Sequence, residues 1–180
     1  MKILMLNGSP RRNGNTHAVL ERMQKQLQEG NQVELLNICT MKLSGCVACE
    51  GCSRNGGHCV QHDDSDAVIQ KIVQADAVIF GTPVYWWGMS SQLKMVVDKF
   101  YSQNGSFKTM KKKIGVLIVG ANERNDPQYR LIGEQFDCIA KHLNWNMAFC
   151  ESFSAYEPEE VLKQADLAQR VQQACDSLAK

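Results

Sequence analysis

The sequence predicts one α/β domain over residues 1–180, with five parallel strands in an open, doubly wound sheet of order 2-1-3-4-5 and helices on both faces. Three observations carry this expectation. Five short apolar runs alternate strictly with five amphipathic segments. The runs are continuously apolar, as in strands covered on both faces. Right-handed crossovers then leave few ways to connect five such units in a chain of 180 residues.

The first run, "KILMLN" (2–7), leads through a turn to Val19, Leu20, Met23 and Leu27 at helical spacing. "QVELLNI" (32–38) is the second and enters a cysteine-rich stretch. "DDSDAVIQKIVQ" (63–74) opens with acidic residues suited to a helix N-terminus and places Val68, Ile69, Ile72 and Val73 on one face. The third run, "DAVIFGTP" (76–83), precedes a helix marked by Leu93, Val96, Val97 and Phe100, for which Ser90 is the expected cap. "KKIGVLIVGA" (112–121) is followed by Ile132, Phe136, Ile139 and Leu143 in helical register. "NMAFCESF" (146–153) and a helix carrying Leu167, Val171, Ala174 and Leu178 complete the chain.

Bulk composition narrows the function classes. Hydrophobic residues make up 44% and charged residues 22%, and the net charge is +1, so no basic field argues for nucleic acid or an anionic membrane. The apolar runs are far shorter than a membrane span, and the N-terminus lacks the long apolar segment of a signal peptide, so a cytoplasmic location is expected.

In the expected topology the loops after strands 1, 3 and 4 converge on one crevice. The first, "NGSPRRNGNT" (7–16), joins Gly8 and Gly14 to the polar Ser9, Asn15 and Thr16 at a helix start, where free amides favour an anion. Arg11 and Arg12 could offset the charge of a phosphate monoester. The loop is neither G-x-x-x-x-G-K-[ST] nor G-x-G-x-x-G. In the second, "GTPVYWWGMSSQLK" (81–94), Tyr85, Trp86 and Trp87 cannot all face the core, so some must cover a planar ligand or a partner subunit. The third, "GANERNDPQY" (120–129), reads as polar and flexible. Other uses of such a sheet are excluded by residue type. Asn7-Gly8 and Gly81-Thr82 stand where a receiver domain needs acidic residues, and no cysteine has the spacing to arginine of a phosphatase loop.

Four of eight cysteines, Cys46, Cys49, Cys52 and Cys59, follow C-x2-C-x2-C-x6-C among several glycines. That pattern suits an iron–sulfur cluster, admits four-thiolate zinc, and is equally compatible with free thiols. Cys39, Cys138, Cys150 and Cys175 read as small hydrophobes. His17, His58, His62 and His142 read as solvated side chains.

Together, "NGSPRRNGNT", the cysteine stretch ending in "DD", and "GTPVYWWGMSSQLKMVVDK" resemble the flavodoxin-like NAD(P)H-dependent FMN reductases, and among them the iron–sulfur flavoproteins most. The resemblance implies FMN, with its phosphate in the loop of Ser9, Arg11, Asn13, Asn15 and Thr16. Its ring would lie against Pro83, Val84, Tyr85, Trp86 and Gly88, with Ala121 and Asn122 on the third side. It also implies NADH or NADPH as donor, a quinone, flavin or similar small-molecule electron acceptor, and a homodimer or homotetramer. The same resemblance implies an alternative, an electron carrier that takes electrons from a ferredoxin-type donor through a [4Fe–4S] cluster on Cys46, Cys49, Cys52 and Cys59 to FMN. No side chain stands out as a general acid or base, so none is assigned a catalytic role.

Overall fold

The computed structural model describes residues 1–179. Strands β1 (Lys2–Asn7), β2 (Gln32–Asn37), β3 (Ala77–Pro83), β4 (Lys113–Gly120) and β5 (Asn146–Ser154) form one sheet of order β2-β1-β3-β4-β5. Every neighbouring pair is parallel. This is the topology expected from the apolar runs, and strand limits agree within one or two residues.

Side chains in β1 alternate between two cores. Leu4 and Leu6 join Val78, Phe80, Val116 and Ile118 beneath helices α2 (Ser65–Gln74), α3 (Ser91–Asp98) and α5 (Pro127–Leu143). Ile3 and Met5 join Ile79, Leu117 and Val119 beneath α1 (Asn15–Leu27) and α6 (Leu167–Ala179). Two buried faces explain why the central runs carry no polar alternation. Where β2 forms an edge, its residues are exposed or half-buried.

One α-helix among the described residues escaped the sequence reading, the short α4 (Asn104–Thr109). Its single buried side chain, Phe107, packs edge-on against Trp145 at a centroid distance of 5.0 Å. The Trp145 indole N–H donates to the Phe107 carbonyl at 2.9 Å, so one long-range contact holds a segment with little helical periodicity of its own. Among the described residues, no helix is long and apolar enough to cross a membrane.

Candidate cofactor cleft

The loops after β1, β3 and β4 do meet at the carboxyl end of the sheet. Asn7, buried at the end of β1, directs the first of them. Its Oδ1 accepts from the Ser9 N–H at 3.0 Å, and its Nδ2 donates to Asn37 Oδ1 at 2.8 Å. The Gly8 N–H donates to the Gly81 carbonyl at 2.8 Å, which ties the loop to β3. A Cβ on Gly8 would come within 2.9 Å of Ser90 Oγ and 3.0 Å of the Gly81 carbonyl, so glycine is needed for this close passage. Helix α1 then starts from Gly14, whose lack of a side chain leaves the first amides uncapped and free for an anion. The α3 and α5 caps, by contrast, are closed by Ser90 and Asp126 side chains.

An inner cleft of about 180 Å³ opens above these amides. Ser9, Arg11, Asn15 and Thr16 line one side, Pro83, Val84 and Tyr85 the second, and Gly120 and Ala121 the third. Arg11 is exposed at its mouth. Asn15 lies in the cleft wall, but its side chain is committed elsewhere. It donates to the Glu157 carbonyl at 2.9 Å and accepts from the Val161 N–H at 3.1 Å. Asn13 and Arg12 are exposed and border a separate hollow with His17 and Glu21. The β5–α6 connection, silent in the sequence, supplies Ala155 and Tyr156 as a fourth wall.

A second, outer cleft of about 570 Å³ shares Val84 and Tyr85 with the inner one and is lined also by Trp86, Trp87, Asn122 and Gln128. The aromatic segment is a tight turn. Tyr85 N–H bonds the Gly88 carbonyl at 2.9 Å, and Gly88 N–H bonds the Tyr85 carbonyl at 3.0 Å. Trp86 and Trp87 occupy its centre at φ of 49° and 59°, the left-handed pair of a type I′ turn, which asparagine and glycine adopt more readily. Gly88 closes the turn and does not line either cleft. None of the three aromatics faces the core: Trp86 is 92% exposed, Trp87 48% and Tyr85 40%.

The third loop is pinned rather than loose. Asn122 Nδ2 donates to the Asp126 carboxylate at 2.8 Å, and the buried Tyr129 hydroxyl donates to the Asn122 carbonyl at 2.7 Å. Burial raises the Tyr129 pKa, so the phenol keeps the proton it donates.

With this geometry in view, the description "NADPH-dependent FMN reductase" can be set beside the chain, because the model of that family matches residues 1–132. The chain belongs to this family. An iron–sulfur flavoprotein of Methanocaldococcus jannaschii is 36% identical over 129 residues, covering 71% of this chain and 66% of that protein. A putative NAD(P)H-dependent FMN-containing oxidoreductase of Bacillus subtilis is 33% identical over 100 residues, covering 56% and 52%. The chain thus spans about half to two thirds of the length of these curated relatives. The solved NAD(P)H:quinone oxidoreductase of Methanothermobacter marburgensis superposes with a TM-score of 0.74 at 19% identity, covering 100% of this chain and 96% of that one, which supports the flavodoxin-like fold.

The cysteine stretch is a loop stapled to α2. Asp63 accepts from the Ser44 N–H at 2.9 Å and Asp64 from the Lys42 N–H at 2.7 Å. At the far end Asp66 accepts from the Cys59 N–H at 3.0 Å and pairs with His58 Nδ1 at 2.9 Å. His58 is exposed, as expected of a solvated side chain, and its contact with Asp66 is a surface one. Cys46 and Cys49 are exposed, and Cys52 and Cys59 half-buried. Among the described residues, no three His, Cys, Asp or Glu side chains come together as a metal site, so the loop in this arrangement does not fit a cluster. Of the other thiols, burial pushes Cys39 and Cys175 up to about 11, as expected of small core residues. Cys138 and Cys150 depart from that expectation and stand exposed.

Proposed function

We propose that the protein is an FMN-dependent oxidoreductase that takes electrons from NADH or NADPH and passes them to a quinone, flavin or similar small acceptor. The observation that carries this reading is the two-part cleft. Its inner part has an uncapped helix start and Arg11 for a phosphate, and its outer part, within the roughly 300–1,000 Å³ typical of small-molecule sites, has aromatic and amide walls for a planar ring. The residues fit FMN: a buried amide nitrogen of Gln128 on the outer wall has no partner among the described residues.

The FMN phosphate would sit on the amides of residues 15–17 beside Ser9 and Arg11. Val84, Tyr85, Trp86, Ala121 and Asn122 would hold the ring. Bound FMN would supply hydride and electron transfer, and the protein's part is to orient the ring and leave one face open. The exposed Trp86 and Trp87 make a natural seat for a second subunit in a homodimer or homotetramer. Titration with FMN, followed by steady-state oxidation of NADH and NADPH with a quinone acceptor, tests the reading. Failure to bind FMN overturns it, and binding without turnover of either nucleotide overturns the reductase assignment.

A second reading, the electron carrier with a [4Fe–4S] cluster, draws support from the cysteine spacing and from the naming of the Methanocaldococcus relative. It requires the loop from Cys46 to Cys59 to refold around the cluster. Iron and sulfide analysis of anaerobically purified protein decides it, and flavin absorption without either element removes the cluster.

A further inference from the structure

Gln128 is left without a task by the contacts described so far. It lies in the first turn of α5, is 6% exposed, and borders the outer cleft beside Val84 and Asn122. Its backbone N–H is taken by the Asp126 cap at 2.9 Å. The carboxamide nitrogen is buried and has no hydrogen-bond partner among the described residues. Tyr129 is close by, near enough for the amide to favour the phenolate, yet the pair lacks hydrogen-bond geometry and the phenol gives its own proton to Asn122. Reversing the amide would not repair this, because the Tyr129 proton is already spent and a buried oxygen would then lack a donor.

A buried donor left unpaired is costly, and native proteins keep one mainly where something else completes it. The surroundings preserve the space for this group. A Cβ on Gly120 would come within 2.7 Å of the Gln128 nitrogen and 2.9 Å of the Tyr129 hydroxyl. The phosphate-type site lines the inner cleft, which shares Val84 and Tyr85 with the outer one, so a ligand anchored there and extended past these two residues would bring its ring toward Gln128.

We infer that Gln128 is a cofactor-positioning residue whose carboxamide N–H donates to an acceptor atom of the bound ring. The inference rests on the FMN reading and extends it to one residue. The acceptors of the oxidised isoalloxazine are the carbonyl oxygens and N1 of its pyrimidine ring and N5 at its centre, so this donor recognises that half of the ring and not the benzenoid end. Those atoms gain electron density on reduction, and a donor aimed at them favours the reduced ring.

Gln128→Leu and the isosteric Gln128→Glu test this beside the wild type, with three measurements: apo-protein thermal unfolding, FMN affinity by fluorescence quenching, and flavin midpoint potential. Gln128→Leu is expected to leave the apo-protein as stable or more stable, to weaken FMN binding at least fivefold, and to make the potential more negative. Gln128→Glu, which replaces the donor by an oxygen, is expected to weaken FMN at least as much. If Gln128→Leu proves unfolded, the near-isosteric Glu variant carries the test alone. FMN binding within twofold of wild type and an unchanged potential would overturn the role of Gln128 while leaving the flavin reading intact. A wild-type protein that does not bind FMN overturns both.

Discussion

The Ser90 hydroxyl donates to the Gly8 carbonyl at 2.7 Å, across 82 positions of sequence, while accepting the Leu93 N–H at 3.3 Å. One side chain thereby caps α3 and couples the two loops that build the cleft. Ser90→Ala loses a helix cap and strands a buried carbonyl, which together cost about 2 kcal/mol. Thermal unfolding should show the loss, and FMN affinity should fall with it although Ser90 lines neither cleft.

Trp86 sits at positive φ with almost all of its surface in solvent. Glycine there relieves backbone strain and sacrifices little packing. Trp86→Gly should stabilise the monomer by about 1 kcal/mol, a rise in Tm of roughly 2–4 °C for a chain of this size. Acceptor turnover or subunit association should decline in the same variant, measured by steady-state rates and sedimentation. A lower Tm for the isolated monomer would contradict the strain argument.

Lys99 and Asp63 form an ion pair of 3.0 Å, with side chains only 1% and 2% exposed. Lys99 Nζ also donates to Ser65 Oγ at 2.7 Å, and Ser65 Oγ donates to Asp63. Burial opposes ionisation of Asp63, but the Ser65 hydroxyl and N–H and the Lys99 ammonium outweigh it and hold the carboxyl at about 2. The folded pKa lies below the unfolded value near 4, so this stabilisation is complete above about pH 4 and drains away as pH falls toward 2. Asp63→Asn leaves the ammonium buried and unpaired, at about 3 kcal/mol. Acid unfolding curves should show a shallower pH dependence between 4 and 2 in the variant than in the wild type.

At Gly120 a methyl group would also meet Val84 Cγ2 at 2.9 Å. Gly120→Ala should therefore cost about 1 kcal/mol or more from overpacking, with a disproportionate loss of FMN affinity because the displaced groups wall the cleft. Equal FMN affinity in the variant would mean that these side chains move aside without affecting the ligand.

Legibility from sequence followed the range of the forces involved. The strands could be read because burial on both faces is written into consecutive residues such as those of β1 and β4. Ser90 could be read as a cap because capping is local. Helix α4 could not, since Phe107 is held by Trp145, distant in sequence. For the same reason the hold of the Asn15 side chain on the Glu157–Val161 segment was not legible, whereas its place at the start of a helix was. Tyr156 and the Tyr129–Asn122 bond lay in segments whose composition resembles any polar connection. The orphaned nitrogen of Gln128 is visible only once burial is known atom by atom.

The staples on α2 carry a consequence for how this molecule can diversify. Lys42 and Ser44 at the entrance of the cysteine loop, and His58 and Cys59 at its exit, are all held by carboxylates within Asp63–Asp66, the start of one helix. The stem is closed by the helix, so the span between Gly45 and Gly57 is an interchangeable cassette in a fixed socket. Doubling the length of such an insert costs only about 0.6 kcal/mol in closure entropy. Residues in the cassette can therefore be gained, lost or rewritten over evolutionary time while the sheet beneath keeps its register.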